Sequence, residues 1–164
     1  MDAQKTCLIV APTPEAARDL ALEGTAHGDH VFFALPDSAM AAELADEFRA
    51  RDPFAASASH ENGALALVNL VVMAHGGIDQ LLVTVEASTA GVLDSDPADV
   101  LYAHIQFPWE ILRAAVPFLR RRKGLVRVVV RGNGPLANCT ADALGSVARE
   151  ASAATGIVIT CTRG

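Results

Sequence analysis

Gly76-Gly77-Ile78-Asp79-Gln80-Leu81-Leu82-Val83 is the stretch on which the reading of this chain turns. Paired glycines stop a helix, because glycine enters the left-handed conformation of a helix end without a steric penalty. The helical, apolar segment Glu61–Ala74 therefore ends at Gly76-Gly77. The run Gln80–Val85 (QLLVTV) that follows has no helical period and reads as a buried central strand.

The same alternation extends in both directions. Upstream, Thr6–Val10 (TCLIV) reads as a buried strand. Pro14–Leu22 follows as a helix, with Thr13 as N-cap and Pro14 at the first helical position. His30–Leu35 (HVFFAL) is a second strand. After Pro36, Asp37 or Ser38 caps the helix Ala39–Arg49, where Met40, Leu44 and Phe48 share a face. Phe54–Ser57 is a weak third strand. Downstream, Pro97–Arg121 is the longest helix, with Pro108 and Pro117 inside it as sources of kinks. Leu125–Val130 (LVRVVV) is a strand, Thr140–Ala154 a helix and Gly156–Cys161 (GIVITC) the last strand. Strands separated by helices predict right-handed crossovers and a doubly wound parallel sheet. The 164 residues suit one domain, residues 1–164, without repeats or linkers.

Composition narrows the function classes. Half of the residues are apolar (51%) and mean hydropathy is +0.30, yet no run approaches the roughly 18 apolar residues of a membrane span. The start Met1–Thr6 lacks a basic segment followed by an apolar stretch, so no secretory leader is expected and the cytoplasm is the expected location. A net charge of −6 argues against nucleic acid. The one basic run, Arg120–Lys123, falls at a helix end, where cations suit the dipole. Cys7, Cys139 and Cys161 fit neither a disulfide framework nor metal spacing, and Cys7 and Cys161 are expected to be buried. The histidines at 27, 30, 60, 75 and 104 lack metal-site spacing, so no metal is expected. His27 and His30 flank Gly28-Asp29 and read as an exposed turn.

The segment Gly76–Val83 (GGIDQLLV) resembles the entry to the fourth strand of short-chain dehydrogenases/reductases. Glu61–Val68 (ENGALALV) is similar to that family's third helix, and Asp99–His104 (DVLYAH) to the start of its fourth. Gly124–Val130 (GLVRVVV) is similar to its fifth strand, and Asp142–Glu150 (DALGSVARE) to the helix after its catalytic Tyr and Lys. The resemblance covers nearly the whole chain in order. It implies a Rossmann-like sheet of about six strands in the order 3-2-1-4-5-6, with helices on both faces.

The resemblance does not extend to the functional positions. The family holds a nicotinamide dinucleotide on a glycine-rich turn after the first strand, where backbone N–H groups meet the pyrophosphate at a helix N-terminus. Here the turn is Val10–Arg18 (VAPTPEAAR). Ala11, Glu15 and Ala17 stand at the three glycine positions, Pro12 and Pro14 lack N–H groups, and no glycine precedes Gly24. Val83–Glu86 (VTVE) replaces the Asn-Asn-Ala-Gly run. The family's catalytic Asn position is His104, its Ser position Arg131, and its Tyr-x-x-x-Lys pair falls on Ala137 and Ala141. The residues agree without any alignment. Reduction of a carbonyl needs a tuned acid, whereas the single tyrosine, Tyr102, lies in a helix and the lysines are only Lys5 and Lys123. No catalytic residue, no cofactor-binding residue and no cofactor are therefore assigned.

Two helices point to association. Pro97–Leu119 carries Val100, Leu101, Ile105, Phe107, Trp109, Ile111, Leu112, Val116 and Phe118, apolar on several faces. Thr140–Ala154 carries Ala141, Ala143, Gly145, Ala148, Ala151, Ala153 and Ala154, small enough for close helix contact. In the family, these helices form the common dimer interface, a four-helix bundle. The chain also ends at Gly164, after the sixth strand, where the family continues into a substrate-covering segment.

The expectation is a pseudoenzyme: a non-catalytic subunit paired through 97–121 and 140–154 with an active short-chain dehydrogenase. A known role of this kind is the inactive subunit of the heteromeric dehydrogenase in anaerobic toluene (benzylsuccinate) degradation, within aromatic-compound and acyl-CoA catabolism. The alternatives are a homodimeric ligand-binding or regulatory protein using a crevice around Glu86, His104 and Arg131, and a cofactor-independent enzyme, for which Cys139 with His104 is one nucleophile–base pair.

Overall fold

The structure, a computed structural model, describes residues 4–87 and 95–164. Residues 1–3, the first of the start segment read above, lie outside the described residues.

Six parallel strands form one sheet in the order β3-β2-β1-β4-β5-β6. They are β1 (Thr6–Val10), β2 (His30–Leu35), β3 (Ala56–Ser59), β4 (Gln80–Glu86), β5 (Leu125–Arg131) and β6 (Val158–Arg163). The helices are α1 (Pro14–Ala26), α2 (Ser38–Phe48), α3 (Ala64–His75), α4 (Pro97–Leu101), α5 (Phe107–Arg122) and α6 (Pro135–Thr155), and a π-helical turn, Tyr102–Gln106, joins α4 to α5. This is the predicted Rossmann-like order.

Strand alternation sorts the core into two layers. Leu8, Val10, Leu81, Val83, Val126 and Val128 pack beneath α3, α5 and α6. Cys7, Ile9, Val31, Phe33 and Leu35 pack beneath α1 and α2. Central strand β1 is buried along its whole length, as parallel strands covered on both faces are. On the α1 side of β6, Val158, Thr160 and Thr162 are exposed, and Arg127 of β5 reaches across to Glu23 of α1 at 2.9 Å.

Several boundaries differ from the sequence reading, each for a local reason. α6 begins at Pro135 rather than Thr140, because Gly134 turns the chain at φ 91° and Pro135 then fits the first helical position. Gly156 is the left-handed cap of α6 (φ 72°), so the last strand starts at Val158 and runs to Arg163. α3 starts at Ala64, after Gly63 at φ 96°. Phe54 is a turn residue rather than the start of β3: its amide donates to Asp52 Oδ1 at 3.0 Å and its side chain is exposed. The long helix runs unbroken over 97–122 but is not α-helical throughout, because Pro108 has no N–H to return to the His104 carbonyl. The turn before it widens, with the Phe107 amide reaching back to the Tyr102 carbonyl.

The basic run ends α5 as expected, with Arg122 donating to the Gly76 carbonyl (3.1 Å) and Asp79 (3.5 Å). His27 is exposed, but His30 is half-buried and bonds Asp52 through Nδ1 at 2.9 Å, so only the first belongs to a solvent-facing turn. No helix among the described residues is long and apolar enough to cross a membrane.

Candidate functional site

In an open parallel sheet, ligands sit beyond the carboxyl ends of the strands, where the order reverses. Here that point lies between β1 and β4. The loop leaving β1 can be judged by where its amides go. The Ala11 amide continues the sheet to the Ala34 carbonyl at 3.1 Å. Pro12 and Pro14 have none. The Ala16 amide goes to the Thr13 hydroxyl at 3.4 Å and the Ala17 amide to the Thr13 carbonyl at 3.3 Å. That leaves the amides of Thr13 and Glu15 at a helix end that carries the Glu15 carboxylate in its first turn. Ala11, Ala16 and Ala17 are buried, so their methyl groups belong to the core beneath α1. Most of the turn's donors are thus taken up by backbone or by the Thr13 hydroxyl, or are missing at the two prolines.

Beside this loop is a cleft of about 190 Å³. Its walls come from Val10, Ala11 and Pro12, from Pro36, from His60 after β3, from Val83–Glu86 of β4, and from Tyr102, Ala103, His104, Phe107 and Pro108. The π-helical turn brings Tyr102, Ala103 and His104 to it. Three rings meet on one side. His60 lies over Phe107 with centroids 4.8 Å apart and planes 33° apart, and Tyr102 is 6.0 Å from the same ring. Burial holds the His60 imidazole below its usual pKa, so it is neutral at pH 7. The Nδ1 of His104 is buried without a hydrogen-bond partner.

Of the crevice residues predicted from sequence, Glu86 and His104 line this cleft. Arg131 is the register partner of Glu86, with its Nη1 4.0 Å from the carboxylate, but it does not line the cleft. Ala137 is fully buried and Ala141 half-buried, one turn apart on α6. Cys139 is exposed and is not among the cleft residues, which gives no support to a Cys139–His104 pair. Sequence reasoning missed His60, Tyr102, Phe107 and Pro12. The signal that pointed to the region was the predicted crevice at Glu86 and His104.

A larger cavity, about 580 Å³, lies at the opposite end of the sheet, among Lys5, Glu23, Asp29, Gln80, Arg127 and Thr160. It sits at the strand starts, away from the switch point, and its main cation, Arg127, is already held by Glu23. Among the described residues, no group of three or more His, Cys, Asp or Glu side chains could hold a metal ion.

The outer surfaces of the long helices are less apolar than their sequences suggest. Phe107, Ile111, Leu112, Ala115 and Leu119 of α5 are buried in the chain's own core, leaving Leu101, Tyr102 and Trp109 exposed. On α6, Ala137, Ala148 and Ala151 face inward while Ala143, Ala153 and Ala154 are exposed. α3, a helix without a charged side chain, also exposes Leu65, Leu70 and Met73.

Solved structures with this architecture include short-chain dehydrogenases/reductases. A short-chain dehydrogenase from Streptomyces avermitilis superposes with a TM-score of 0.72 at 19% identity, covering 97% of this chain and 65% of its own. An enzyme of the same family from Burkholderia phymatum, in complex with NAD, gives 0.73 at 15%, covering 99% and 66%. An alcohol dehydrogenase from the archaeon Thermococcus sibiricus, complexed with 5-hydroxy-NADP, gives 0.79 at 12%, covering 98% and 76%. The chain thus has the short-chain dehydrogenase fold and spans about two thirds of the length of the first two. No protein-family model and no curated protein matches it.

Proposed function

We propose that this chain is a non-catalytic member of the short-chain dehydrogenase architecture, which pairs through α4–α5 and α6 with an active dehydrogenase of the same fold and stabilises or shapes it. The observation that carries the reading is the closed turn after β1. The amides at 11, 16 and 17 are already bonded, those at 12 and 14 do not exist, and the exposed Glu15 puts a carboxylate in the first turn of α1. A pyrophosphate needs free N–H donors at that helix end. The inward-facing Ala137, at the position of the family's acid, supports the same reading.

What remains for the chain to do is associate. Trp109, 40% exposed on α5, is the anchor on this surface, since tryptophans dominate the energetics of interfaces. The small outward residues of α6 allow a second helix to approach closely.

The test is co-purification with the dehydrogenase encoded nearest to it, followed by native mass measurement. A hetero-oligomer that Trp109→Glu weakens by about thirty-fold or more, the scale of a 2 kcal/mol hot spot, supports the proposal. A homodimer that ignores the dehydrogenase refutes it.

A further inference from the structure

The closed phosphate turn does not empty the switch point, because the 190 Å³ cleft beside it is formed by residues outside the turn as well. From its shape and lining, we infer that this cleft binds a small, planar, uncharged molecule of one ring with a short polar substituent, stacked on the shelf of His60, Phe107 and Tyr102. This goes beyond the partner-subunit reading and does not depend on it, because it concerns the isolated chain.

Three observations set the chemical class. Volume comes first. Sites for drug-sized ligands run to about 300–1,000 Å³; one of about 190 Å³ is too small for a dinucleotide and suits a single ring.

The wall is the second observation. It is mainly apolar, built from Val10, Pro12, Val83 and Pro108 with Ala103 at its edge, and the rings of His60 and Phe107 lie in offset contact at 4.8 Å. A flat π-face continues such a stack, and aromatic pairs contribute attraction beyond area burial alone. An imidazole kept neutral by burial makes this shelf a stacking surface rather than a cation site.

The third is polar. His104 Nδ1 is buried and unpartnered, and a buried polar group left unsatisfied is costly until a partner completes its hydrogen bonding. Because His104 lines the cleft, a ligand amide, hydroxyl or carbonyl is the group that would complete its hydrogen bonding. The Glu86 carboxylate, 44% exposed beside the cleft, disfavours an anion, and the apolar wall penalises a cation.

Ligand-observed NMR with benzamide, indole, benzoate, benzylamine and NAD as probes tests this on the full chain. Benzamide or indole should give saturation transfer with submillimolar Kd, at least tenfold tighter than benzoate or benzylamine, and NAD should not compete. Ala103 is exposed at the cleft edge, so Ala103→Phe should fill the space and abolish binding while the melting temperature is kept. If that variant does not fold, Tyr102→Ala, at a position 43% exposed, should weaken binding at least fivefold. The inference is overturned if no neutral ring binds, if the charged probes bind equally well, or if the folded variant leaves affinity unchanged. Displacement of the ring by NAD would instead refute the closed phosphate turn, which keeps the two failures apart.

Discussion

The hydroxyl of Thr13 accepts the amide of Ala16, so the first helix caps itself at the end that adjoins the switch point between β1 and β4. Capping and anion binding compete for the same donors. Thr13→Ala should destabilise the chain by about 1 kcal/mol, the ordinary value of a lost N-cap, seen as a lower urea midpoint with an unchanged slope. The freed amide should not create dinucleotide binding, because Pro12, Pro14 and Glu15 remain.

Gly132 ends β5 at φ 121°, and a Cβ there would stand 2.2 Å from the Ala87 carbonyl oxygen, whose residue also donates its amide to Arg131 at 2.8 Å. Both backbone conformation and space exclude a side chain. Gly132→Ala should therefore cost more than about 1 kcal/mol, the threshold for alanine forced into positive φ. Urea unfolding reads this directly, and a neutral outcome would show that β4 and β5 separate easily at their carboxyl ends.

Thiol chemistry should be ordered by burial. Cys7 is fully buried, and desolvation, with a smaller contribution from Asp29, pushes its thiol up to about 12. Burial also raises Cys161 above its usual value, whereas Cys139 is exposed on α6. Because the thiolate is the reactive form, an electrophile at pH 8 should label Cys139 first and Cys7 only after unfolding. Mass mapping of the alkylated peptides gives the order.

Acid should loosen the start of β2. His75 stacks on His30 with centroids 5.8 Å apart, its Nε2 is buried without a partner, and His30 bonds the buried Asp52. Burial, then the charge of His30, lowers the His75 pKa, while Asp52 opposes the shift. A histidine with a lowered folded pKa takes up its proton more readily in the unfolded chain. Stability is therefore intact above the unfolded value of about 6.5 and declines as pH falls below it, toward the lower folded value. His60, lowered by burial, adds in the same direction. Urea midpoints at pH 7.5 and 5.5 should differ in this sense, and His75→Gln should reduce the difference.

The fold was readable because β1, β2, β4 and β5 are short apolar runs, and because Gly76-Gly77 separates a helix from the central strand without ambiguity; β3, an Ala-Ser alternation, was the weak exception. Boundaries went astray where one residue outweighed the pattern. Gly134-Pro135 starts α6 five residues before its apolar period becomes evident, and Gly156 belongs to a helix cap although apolar residues follow it. The missing donors at 12 and 14 could be read from residue types alone, since proline has no N–H in any context. The cleft was only partly legible, through Glu86 and His104. His60 follows β3 while Tyr102 and Phe107 share one helical segment, so the rings meet only once that segment has packed on the sheet, and the π-helical turn that delivers His104 is a hydrogen-bond register set by Pro108. The apolar pattern of the long helix also overstated its outer surface, because periodicity does not count how many sides the chain's own core will cover.

The most direct measurement is a calorimetric titration of the isolated, folded chain with NADH and with NADPH. The closed turn at Thr13–Ala17 predicts no saturable heat for either cofactor up to about 1 mM, a binding energy weaker than roughly −4 kcal/mol. A one-site isotherm with micromolar Kd would contradict it and return the chain to the dinucleotide-binding enzymes whose fold it shares.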